Sequence, residues 1–395
     1  MSRLAELIAE LCPDGVEYRP LGEIADLQRG SGMPKKLFVD EGIPAIHYGH
    51  IFTKYGIHTK CAAAYLAPED ADKLTCVYPG DLVVANTSEN LDDVGKGVVW
   101  LGEAEGVTGG HATVVRALTV DSVFLSYYLR TDDFAVKKRK YAQGTKVIEL
   151  SAVSLSKIDI PVPPVEVQRE IVRILDQFTT LEAELEAELE ARRAQYEHYR
   201  NHLLSYDSLA ARGPVEMVKL GEMLDMRAGT SISSKYISEQ ADSDCIFPCY
   251  GANGLRGYVQ SMNHEYDASI IGRQGALCGN VTYAFGPFFA TEHAVVVTPR
   301  VELSQRWLYH SLVVANLSQY ATKSAQPGLS VRRVAEVEIP VPCVSEQYRI
   351  ADLLDRFDAL VNDITSGLPA EIAARHTQYE HYRDRLLSFP EKKHE

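Results

Sequence analysis

The sequence predicts two different α/β (α+β) globular domains, joined by two long α-helices that form an antiparallel coiled coil. Three observations support this prediction: an internal duplication, two long stretches with helical periodicity, and two intervening segments with short apolar runs bounded by turn residues. Because the 395-residue chain is one continuous duplication, we expect its halves to be related by pseudo-twofold symmetry. The helix predicted at the N-terminus should then lie near the C-terminal segment.

The duplication is visible as ordered matches between the two halves. In chain order, they are Leu-Gly-Glu at 21–23 and 220–222, IDIPVP and VEIPVP at 158–163 and 337–342, and QYEHYR at 195–200 and 378–383. The copies are offset by 199, 179 and 183 residues (220 − 21, 340 − 161 and 378 − 195). The second globular segment is therefore 20 residues shorter than the first, and the second helical segment is four residues longer. This pattern indicates one repeated frame that carries two diverged globular segments.

These matches divide the chain into four predicted regions. They are an N-terminal helix with the first globular domain at 1–157, the first long helix at 158–213, the second globular domain at 214–336, and the second long helix at 337–395.

The first long helix is predicted from about residue 166 to residue 205. Pro161, Pro163 and Pro164 end a strand, and the stretch that follows contains neither Gly nor Pro. Its apolar and aromatic residues recur in steps of three and four, which is typical of a coiled-coil seam. The seam residues are Ile171, Ile174, Phe178, Leu181, Leu185, Leu189, Tyr196, Tyr199 and Leu203.

The second long helix repeats these steps, but Gly367 and Pro369 should kink or interrupt it. Its seam residues are Ile350, Leu353, Phe357, Leu360, Ile364, Tyr379, Tyr382 and Leu386. About 40 helical residues extend roughly 60 Å, and the tandem LEAE unit within residues 181–191 corresponds to about 6 Å. Such seams are usually structural, and here we predict that the helices act as a spacer of defined length.

The globular segments contain short strands separated by polar loops. Apolar runs are found at 80–84, 97–100 and 111–115 in the first segment, and at 268–271, 280–284 and 293–297 in the second. His111 and His293 correspond between the copies. A paired metal or catalytic role is one interpretation, and a structural histidine beside a core strand is the other.

The net charge of −14 argues at first against binding to nucleic acid, but the charge is unevenly distributed. Loops rich in Lys and Arg can bind phosphates, while Arg, Asn, Gln and Ser can bond to base edges. Ordinary solvated surface is the alternative interpretation. The candidate DNA-binding residues of the first domain are Lys35, Lys36, His47, Tyr48, His50, Lys54, Tyr55, Asn86, Thr87, Lys140, Tyr141, Gln143, Thr145 and Lys146. Those of the second domain are Ser233, Ser234, Lys235, Tyr250, Asn253, Arg256, Arg273, Gln274, Lys323, Gln326 and Arg332.

No catalytic motif is recognisable in the sequence, so we expect neither a catalytic residue nor a cofactor or metal bound by this chain. There is no nucleotide-binding loop of the G-x-x-x-x-G-K-[ST] type, and Cys245 and Cys249 lack the second cysteine pair of a zinc site. The seven scattered cysteines are typical of a reducing compartment, and no signal peptide or membrane-spanning run is apparent. We expect a cytoplasmic protein.

Three segments stand out as motifs: ELCPDGVEYRPLGEI at 10–24, IDIPVPPVEVQREIVRILDQF at 158–178 and IPVPCVSEQYRIADLLDRF at 339–357. Through these segments, and over nearly its whole length, the chain resembles the specificity subunits of type I restriction-modification systems. The LEAE tandem followed by QYEHYR resembles the subclass with a short repeat in the central helix. Cys343 departs from the first copy, which has Pro164 at this place.

The resemblance implies two target-recognition domains, each binding one half of a bipartite, asymmetric site in double-stranded DNA. It also implies that the helices fix the gap between the half-sites and dock two modification subunits, which bind S-adenosylmethionine and methylate adenine. Restriction subunits would add translocation and cleavage driven by ATP with magnesium. The alternatives are a specificity subunit of a methylation-only or other multisubunit system, an enzyme that acts on DNA itself, and a coiled-coil scaffold that does not bind DNA.

Overall fold

The computed structural model describes residues 3–323, 327–363 and 365–392. The chain forms two compact units, the first made of Met1–Glu184 with Ala373–Glu395 and the second of Leu185–Ile372. Two residues named above, Gln326 and Ile364, lie outside the described residues.

The first unit contains most of the strands and short helices. In chain order, they are α1 Arg3–Leu11, β1 Tyr18–Pro20, α2 Leu21–Ile24, β2 Ala25–Arg29, β3 Phe38–Val39, β4 Ile43–Ile46, α3 Tyr48–Thr53, β5 His58–Thr59, β6 Tyr65–Leu66, α4 Pro68–Ala71, β7 Thr75–Val77, β8 Leu82–Ala85, β9 Thr87–Ser88, β10 Gly97–Trp100, β11 Gly106–Thr108, β12 Ala112–Ala117, α5 Ser122–Tyr128, α6 Asp132–Lys138, β13 Ile148–Glu149, α7 Ala152–Leu155 and β14 Asp159–Pro161. A 3₁₀ helix spans Lys35–Leu37.

The long helix α8 Val165–Leu203 follows and continues into the residues of the second unit. The remaining elements are α9 Tyr206–Ala210, β15 Val215–Lys219, α10 Leu220–Met223, β16 Leu224–Ala228, β17 Phe247–Gly251, β18 Gly254–Val259, β19 Ala268–Gly272, β20 Val281–Ala284, β21 Phe289–Ala290, β22 Ala294–Pro299, α11 Gln305–Val314, α12 Val331–Ala335, β23 Glu338–Pro342, α13 Val344–Asn362 and α14 Leu368–Leu386. Two 3₁₀ helices span Ser234–Tyr236 and Leu317–Tyr320.

The first unit has two five-stranded sheets, in the orders β2-β12-β8-β10-β5 and β3-β6-β4-β11-β7. The first of these sheets has the longer strands, and we call it the larger sheet. Its strands β8 and β10 are buried along their whole length, which is why they are almost entirely apolar. Leu82 and Val84 belong to a core shared with α5 and α8, whereas Val83 and Ala85 belong to a core that includes Ile51 of α3. The strands predicted in this segment are confirmed.

The second unit has a four-stranded sheet, β16-β22-β19-β20, and a three-stranded sheet, β18-β17-β21. Its larger sheet repeats the order β2-β12-β8-β10 of the first unit, whereas the smaller sheets differ. Gly30 and Asn86 of the first unit occupy the same backbone positions as Gly229 and Arg273 of the second. The first pair is 56 positions apart (86 − 30) and the second pair 44 (273 − 229). The intervening segment, which contains most strands of the smaller sheet, therefore accounts for 12 of the 20 residues by which the second globular segment is shorter. The predicted combination of a shared frame and diverged segments is confirmed.

The two long helical regions differ in continuity. The first is a single helix of 39 residues, and the second is two helices of 19 residues each. Gly367 lies between them, and a Cβ there would be only 2.6 Å from the carbonyl oxygen of Ala359. The interruption predicted from Gly367 and Pro369 is confirmed.

In the first unit, α8 and α14 pack antiparallel. Phe178 stacks on Tyr382 with 5.5 Å between ring centroids. One helical turn farther along α8, Oε1 of Glu182 lies 2.6 Å from Nδ1 of His376. In the second unit, Tyr199 of α8 approaches Phe357 of α13 at 6.1 Å.

The predicted seam residues differ in exposure. Those that are buried are Ile171, Tyr196, Leu203, Ile350 and Tyr379. Those that are half-buried are Ile174, Phe178, Leu185, Leu189, Leu353, Phe357, Tyr382 and Leu386, and those that are exposed are Leu181, Tyr199 and Leu360. Leu175 and Leu354 were not predicted but are fully buried, because each helix also packs against its globular domain.

The N-terminal segment lies against the C-terminal segment of the same unit, as predicted. The backbone N–H of Val16 donates to the carbonyl oxygen of Pro390 at 2.8 Å, and the N–H of Lys392 donates to the carbonyl oxygen of Val16 at 2.9 Å. Leu4 of α1 shares a core with Phe389.

Candidate nucleic-acid interface

The larger sheets of both units have the same backbone arrangement in the loops at one end of their strands, and we call this end the loop edge. Four pairs of residues occupy equivalent places there: Gly30 and Gly229, Asn86 and Arg273, His111 and His293, Leu150 and Leu329. In the first unit, Asn86 donates its N–H to the carbonyl of His111, and its own carbonyl accepts from the N–H of Leu150. Arg273 makes the same two bonds in the second unit, with His293 and Leu329. The two loop edges therefore present different side chains from equivalent backbone positions.

In the first unit, α3 brings six rings together beside the loop edge. This ring cluster consists of Phe38, His47, Tyr48, His50, Tyr55 and His111. Neighbouring ring centroids lie 4.5 to 6.2 Å apart. Four of its members were predicted as DNA-binding residues: His47, Tyr48, His50 and Tyr55. Phe38 and His111, which lie outside this stretch of the sequence, were not predicted to join them.

In two histidines of the ring cluster, His47 and His50, the surroundings favour the neutral form. His47 is 5% exposed, and its Nδ1 caps α3 by accepting a backbone hydrogen bond at 3.1 Å. Burial, with the nearby charges of His50 and Lys35, lowers the pKa of His47 to about 4. Burial also lowers the pKa of His50, with a contribution from Lys54. A neutral imidazole has one donor and one acceptor, the pair of functions needed to bond to a base edge.

We expect the free energy of unfolding to fall by about 2–3 kcal/mol as the pH drops from 7.5 to 4.5 because of His47. Unfolded His47 takes up a proton near pH 6.5, whereas folded His47 resists protonation until about pH 4. The neutral form therefore stabilises the fold above pH 6.5, and this contribution is lost as the pH falls toward 4. Denaturant unfolding at a series of pH values measures the effect.

The control for this prediction is His47→Asn, which keeps a helix-capping acceptor but does not titrate. We expect this variant to show a correspondingly flatter pH dependence between pH 4.5 and 7.5. Equal slopes in the two proteins would contradict the assignment to His47.

Two further predicted residues, Asn86 and Thr87, are also buried. Asn86 is fully buried, and its Oδ1 accepts from the Thr113 hydroxyl at 2.9 Å. The Thr87 hydroxyl lies 3.1 Å from Nδ1 of His111. These side chains stabilise the loop edge from within, so contact with DNA depends on the residues around them.

The basic run at residues 137–140 is divided between internal and exposed side chains. Lys137 contacts Asp133 at 2.9 Å, and Lys138 is 2% exposed and donates to two backbone carbonyls at 2.8 and 3.1 Å. Burial lowers the pKa of Lys138 to about 8. Arg139 and Lys140 are exposed, so half of the run is available to phosphates.

The other described candidates are exposed or half-buried. The exposed ones are Lys35, Lys36, Lys54, Gln143, Thr145, Lys146, Ser233, Ser234, Lys235, Asn253, Arg256, Arg273, Gln274, Lys323 and Arg332. The half-buried ones are Tyr48, His50, Tyr55, Tyr141 and Tyr250.

In the second unit, three loops border one groove beside the loop edge. The predicted residues on this groove are Ser233, Ser234, Asn253 and Arg256. Arg256 donates to the Ser234 hydroxyl at 3.1 Å, and His293 lies 3.6 Å from Glu292. Two of the loops are thereby linked while their polar side chains remain accessible.

Within residues 3–323, 327–363 and 365–392, no three His, Cys, Asp or Glu side chains, including His111 and His293, are close enough together to hold a metal ion. The same part of the chain contains no helix whose length and apolar character would allow it to cross a membrane.

The structure identifies two buried residues that the sequence analysis missed, Gln168 and Gln347, which we call the anchoring glutamines. Each is 1% exposed. Gln168 accepts from the N–H of Asp121 at 2.7 Å, and Gln347 accepts from the N–H of Ser304 at 3.0 Å. Each also donates to the last carbonyl of its IPVP segment, at 2.6 and 2.9 Å. Asp121 and Ser304 cap α5 and α11, so each glutamine fixes its globular domain to the start of a long helix.

A second anchor recurs about two turns after the anchoring glutamine on each long helix. The Tyr127 hydroxyl donates to Asp176 at 2.7 Å, and at the equivalent place His310 contacts Asp355 at 2.8 Å. Arg306 adds a bond to Asp355 at 2.6 Å. The repeated position of Gln and Asp in the two copies is the sequence signal that could have revealed both anchors.

The family is established by comparison with known proteins. A sequence model of the type I restriction modification DNA specificity domain matches residues 13–191 and 213–374. The chain therefore belongs to the family of type I restriction-modification DNA specificity domains, as the resemblance predicted.

Several curated relatives are specificity subunits. The chain is 48% identical over 211 residues to the type I restriction enzyme EcoprrI specificity subunit of Escherichia coli, which is 52% of each chain. It is 35% identical over 268 residues to the EcoR124I/EcoR124II specificity subunit of Escherichia coli, covering 61% of this chain and 65% of the relative. A putative specificity subunit of Haemophilus influenzae is 27% identical over 401 residues, covering 95% of this chain and 96% of the relative. The chain thus spans about half of the first relative and just under two thirds of the second.

Two solved structures share the fold. The type I restriction-modification S subunit of M. genitalium has a TM-score of 0.58 at 18% identity, covering 94% of this chain and 96% of its own. A chain from a study of complex assembly and conformational transition of the type I R-M system has a TM-score of 0.60 at 19% identity, covering 95% and 98%. At this identity the likeness concerns the fold, and it confirms the predicted fold class.

Proposed function

We propose that this chain is the non-catalytic DNA specificity subunit of a type I restriction-modification complex. Each globular domain binds one half of a bipartite, asymmetric site in double-stranded DNA. The observation that supports this most is the repeated frame that presents different side chains at two equivalent loop edges. Membership of the specificity-domain family supports the same conclusion.

In the first unit, the proposed contacts combine charge with neutral polar groups. Lys35, Lys36 and Lys54 are exposed around the ring cluster, where they can bind phosphates. His50 and Tyr48 are half-buried in the cluster and can bond to base edges from a fixed position. Fixed side chains lose little conformational entropy on binding, which favours specific over nonspecific contacts.

In this proposal, the partner subunits carry out the catalysis. Two modification subunits bind S-adenosylmethionine and methylate the DNA, and restriction subunits use ATP and magnesium. Because the chain itself carries a net charge of −14, we propose that these partners also provide much of the binding to phosphates. Tight, specific binding to DNA by the purified chain alone would argue against that share.

Long-read methylation sequencing tests the proposal. DNA from cells that express the chain with its cognate modification subunit is compared with DNA from cells that lack only the chain. We expect a methylated motif with two defined halves and a fixed gap, present only with the chain. An assembled, active complex that produces no such motif would overturn the proposal and favour the scaffold interpretation.

A further inference from the structure

Arg273 and Gln274 occupy a distinctive place at the second loop edge, directly after β19. Both are exposed, and within the described residues neither side chain has a hydrogen bond or an ion pair. Their backbone, in contrast, is fixed. Arg273 donates its N–H to His293 at 3.0 Å and accepts from Leu329 at 2.8 Å, and Gln274 forms a β-bridge with Gly328. Two uncommitted polar side chains thus extend from a rigid base.

The equivalent positions of the first unit are closed. Asn86 and Thr87 occupy the same backbone arrangement, but they are 0% and 7% exposed and bond within their own sheet. The sheet frame itself therefore does not require exposed residues here. The two units therefore share the backbone arrangement at these positions and differ in the side chains that it carries.

The chemistry of the pair corresponds to direct recognition of bases. The guanidinium fork of Arg matches the O6 and N7 acceptors of guanine, and the amide of Gln matches N6 and N7 of adenine. Side chains that bind only phosphate need neither a fixed backbone nor a planar fork. Either side chain can therefore bond to a base edge in the major groove.

We infer that Arg273 and Gln274 are specificity-determining residues of the second half-site, and that Arg273 recognises a guanine. The corresponding residues of the first unit, Asn86 and Thr87, do not contact bases, so the two domains use different parts of a common frame. This inference rests on the proposed function and adds to it the residues and the base recognised in one half-site.

The test uses the complete complex with modification subunits and compares three variants. Arg273→Leu removes the guanidinium, Arg273→Lys keeps the charge but not the fork, and Arg300→Leu is the matched control. Arg300 is exposed and directly follows β22, whereas His293 of the loop edge directly precedes this strand. Methylation rates are measured on duplexes that carry each single substitution in either half-site, and unchanged Trp307 fluorescence of the purified chain in a Trp100→Phe background verifies folding.

Arg273→Leu should lose preference at one guanine-containing base pair of the second half-site by roughly 5- to 150-fold, and Arg273→Lys should lose part of that preference because it keeps donors but not the fork. The first half-site should remain unchanged, as should both half-sites in Arg300→Leu. Full base preference in Arg273→Leu would overturn the inference, and so would an equal loss of rate on every duplex, because a uniform loss indicates a phosphate contact. The wild-type complex tests the proposed function by itself, so these outcomes affect only the assignment of Arg273.

Discussion

Replacement of Gln168 by leucine is expected to lower the free energy of unfolding of the first unit by about 2–4 kcal/mol. The substitution leaves the Asp121 N–H and the Pro163 carbonyl without the bonds that the amide makes at 2.7 and 2.6 Å. Each buried polar group that loses its partner costs about 1–3 kcal/mol. Gln347→Leu should have a similar effect in the second unit, because its amide makes the same two bonds.

The chain offers a separate probe for each unit. Its two tryptophans are Trp100 in the first unit and Trp307 in the second, and both are buried. In a Trp307→Phe background, denaturant unfolding followed by Trp100 fluorescence therefore reports on the first unit. Gln177 is exposed on the same helix, so Gln177→Leu is the matched control and should change stability by less than about 0.5 kcal/mol. Equal effects of the two substitutions would show that Gln168 is not an anchor.

Deletion of Leu185 to Glu188 is expected to shorten the gap between the half-sites by one to two base pairs and to leave both half-site sequences unchanged. The deletion removes one LEAE unit, or about 6 Å of helix, while the rise of DNA is about 3.4 Å per base pair. Leu189 then follows Leu181 by four residues, so the apolar spacing is preserved. Methylation of sites with the original gap should be lost.

Substitution of Glu186 and Glu188 by alanine is the control for the deletion, because it changes the charge but keeps the length. Methylation sequencing of the control should recover the original gap. A changed half-site sequence in the deletion variant, or an unchanged gap, would refute the role of the helix as a spacer.

The sequence predicted the frame well because the frame depends on local periodicity. The absence of Gly and Pro, together with steps of three and four, predicted α8 within two residues at each end. The same periodicity underestimated the buried surface of the helices. Leu175 and Leu354 are fully buried because each helix packs against a globular domain as well as another helix.

The candidate site was less predictable because exposure depends on residues distant in sequence. Asn86 is buried by its bond to Thr113, and Lys138 by the carbonyls of Asp92 and Val94. The partners are 27, 46 and 44 residues away, and no local pattern announces such pairs. The sequence did place four members of the ring cluster close together, although Tyr48 and His50 lie in α3 and not in a loop as predicted. Their individual contacts with DNA remain predictions.

The central claim is that each globular domain determines one half of the DNA site, and exchange of one domain tests it most directly. Residues 214–336 are replaced by the equivalent segment of a family member with a different methylated motif, and the methylation of the assembled complex is sequenced. We predict that one half-site changes to that of the donor while the other half-site and the gap are retained. A motif that is wholly unchanged, or one in which both halves change, would contradict the claim.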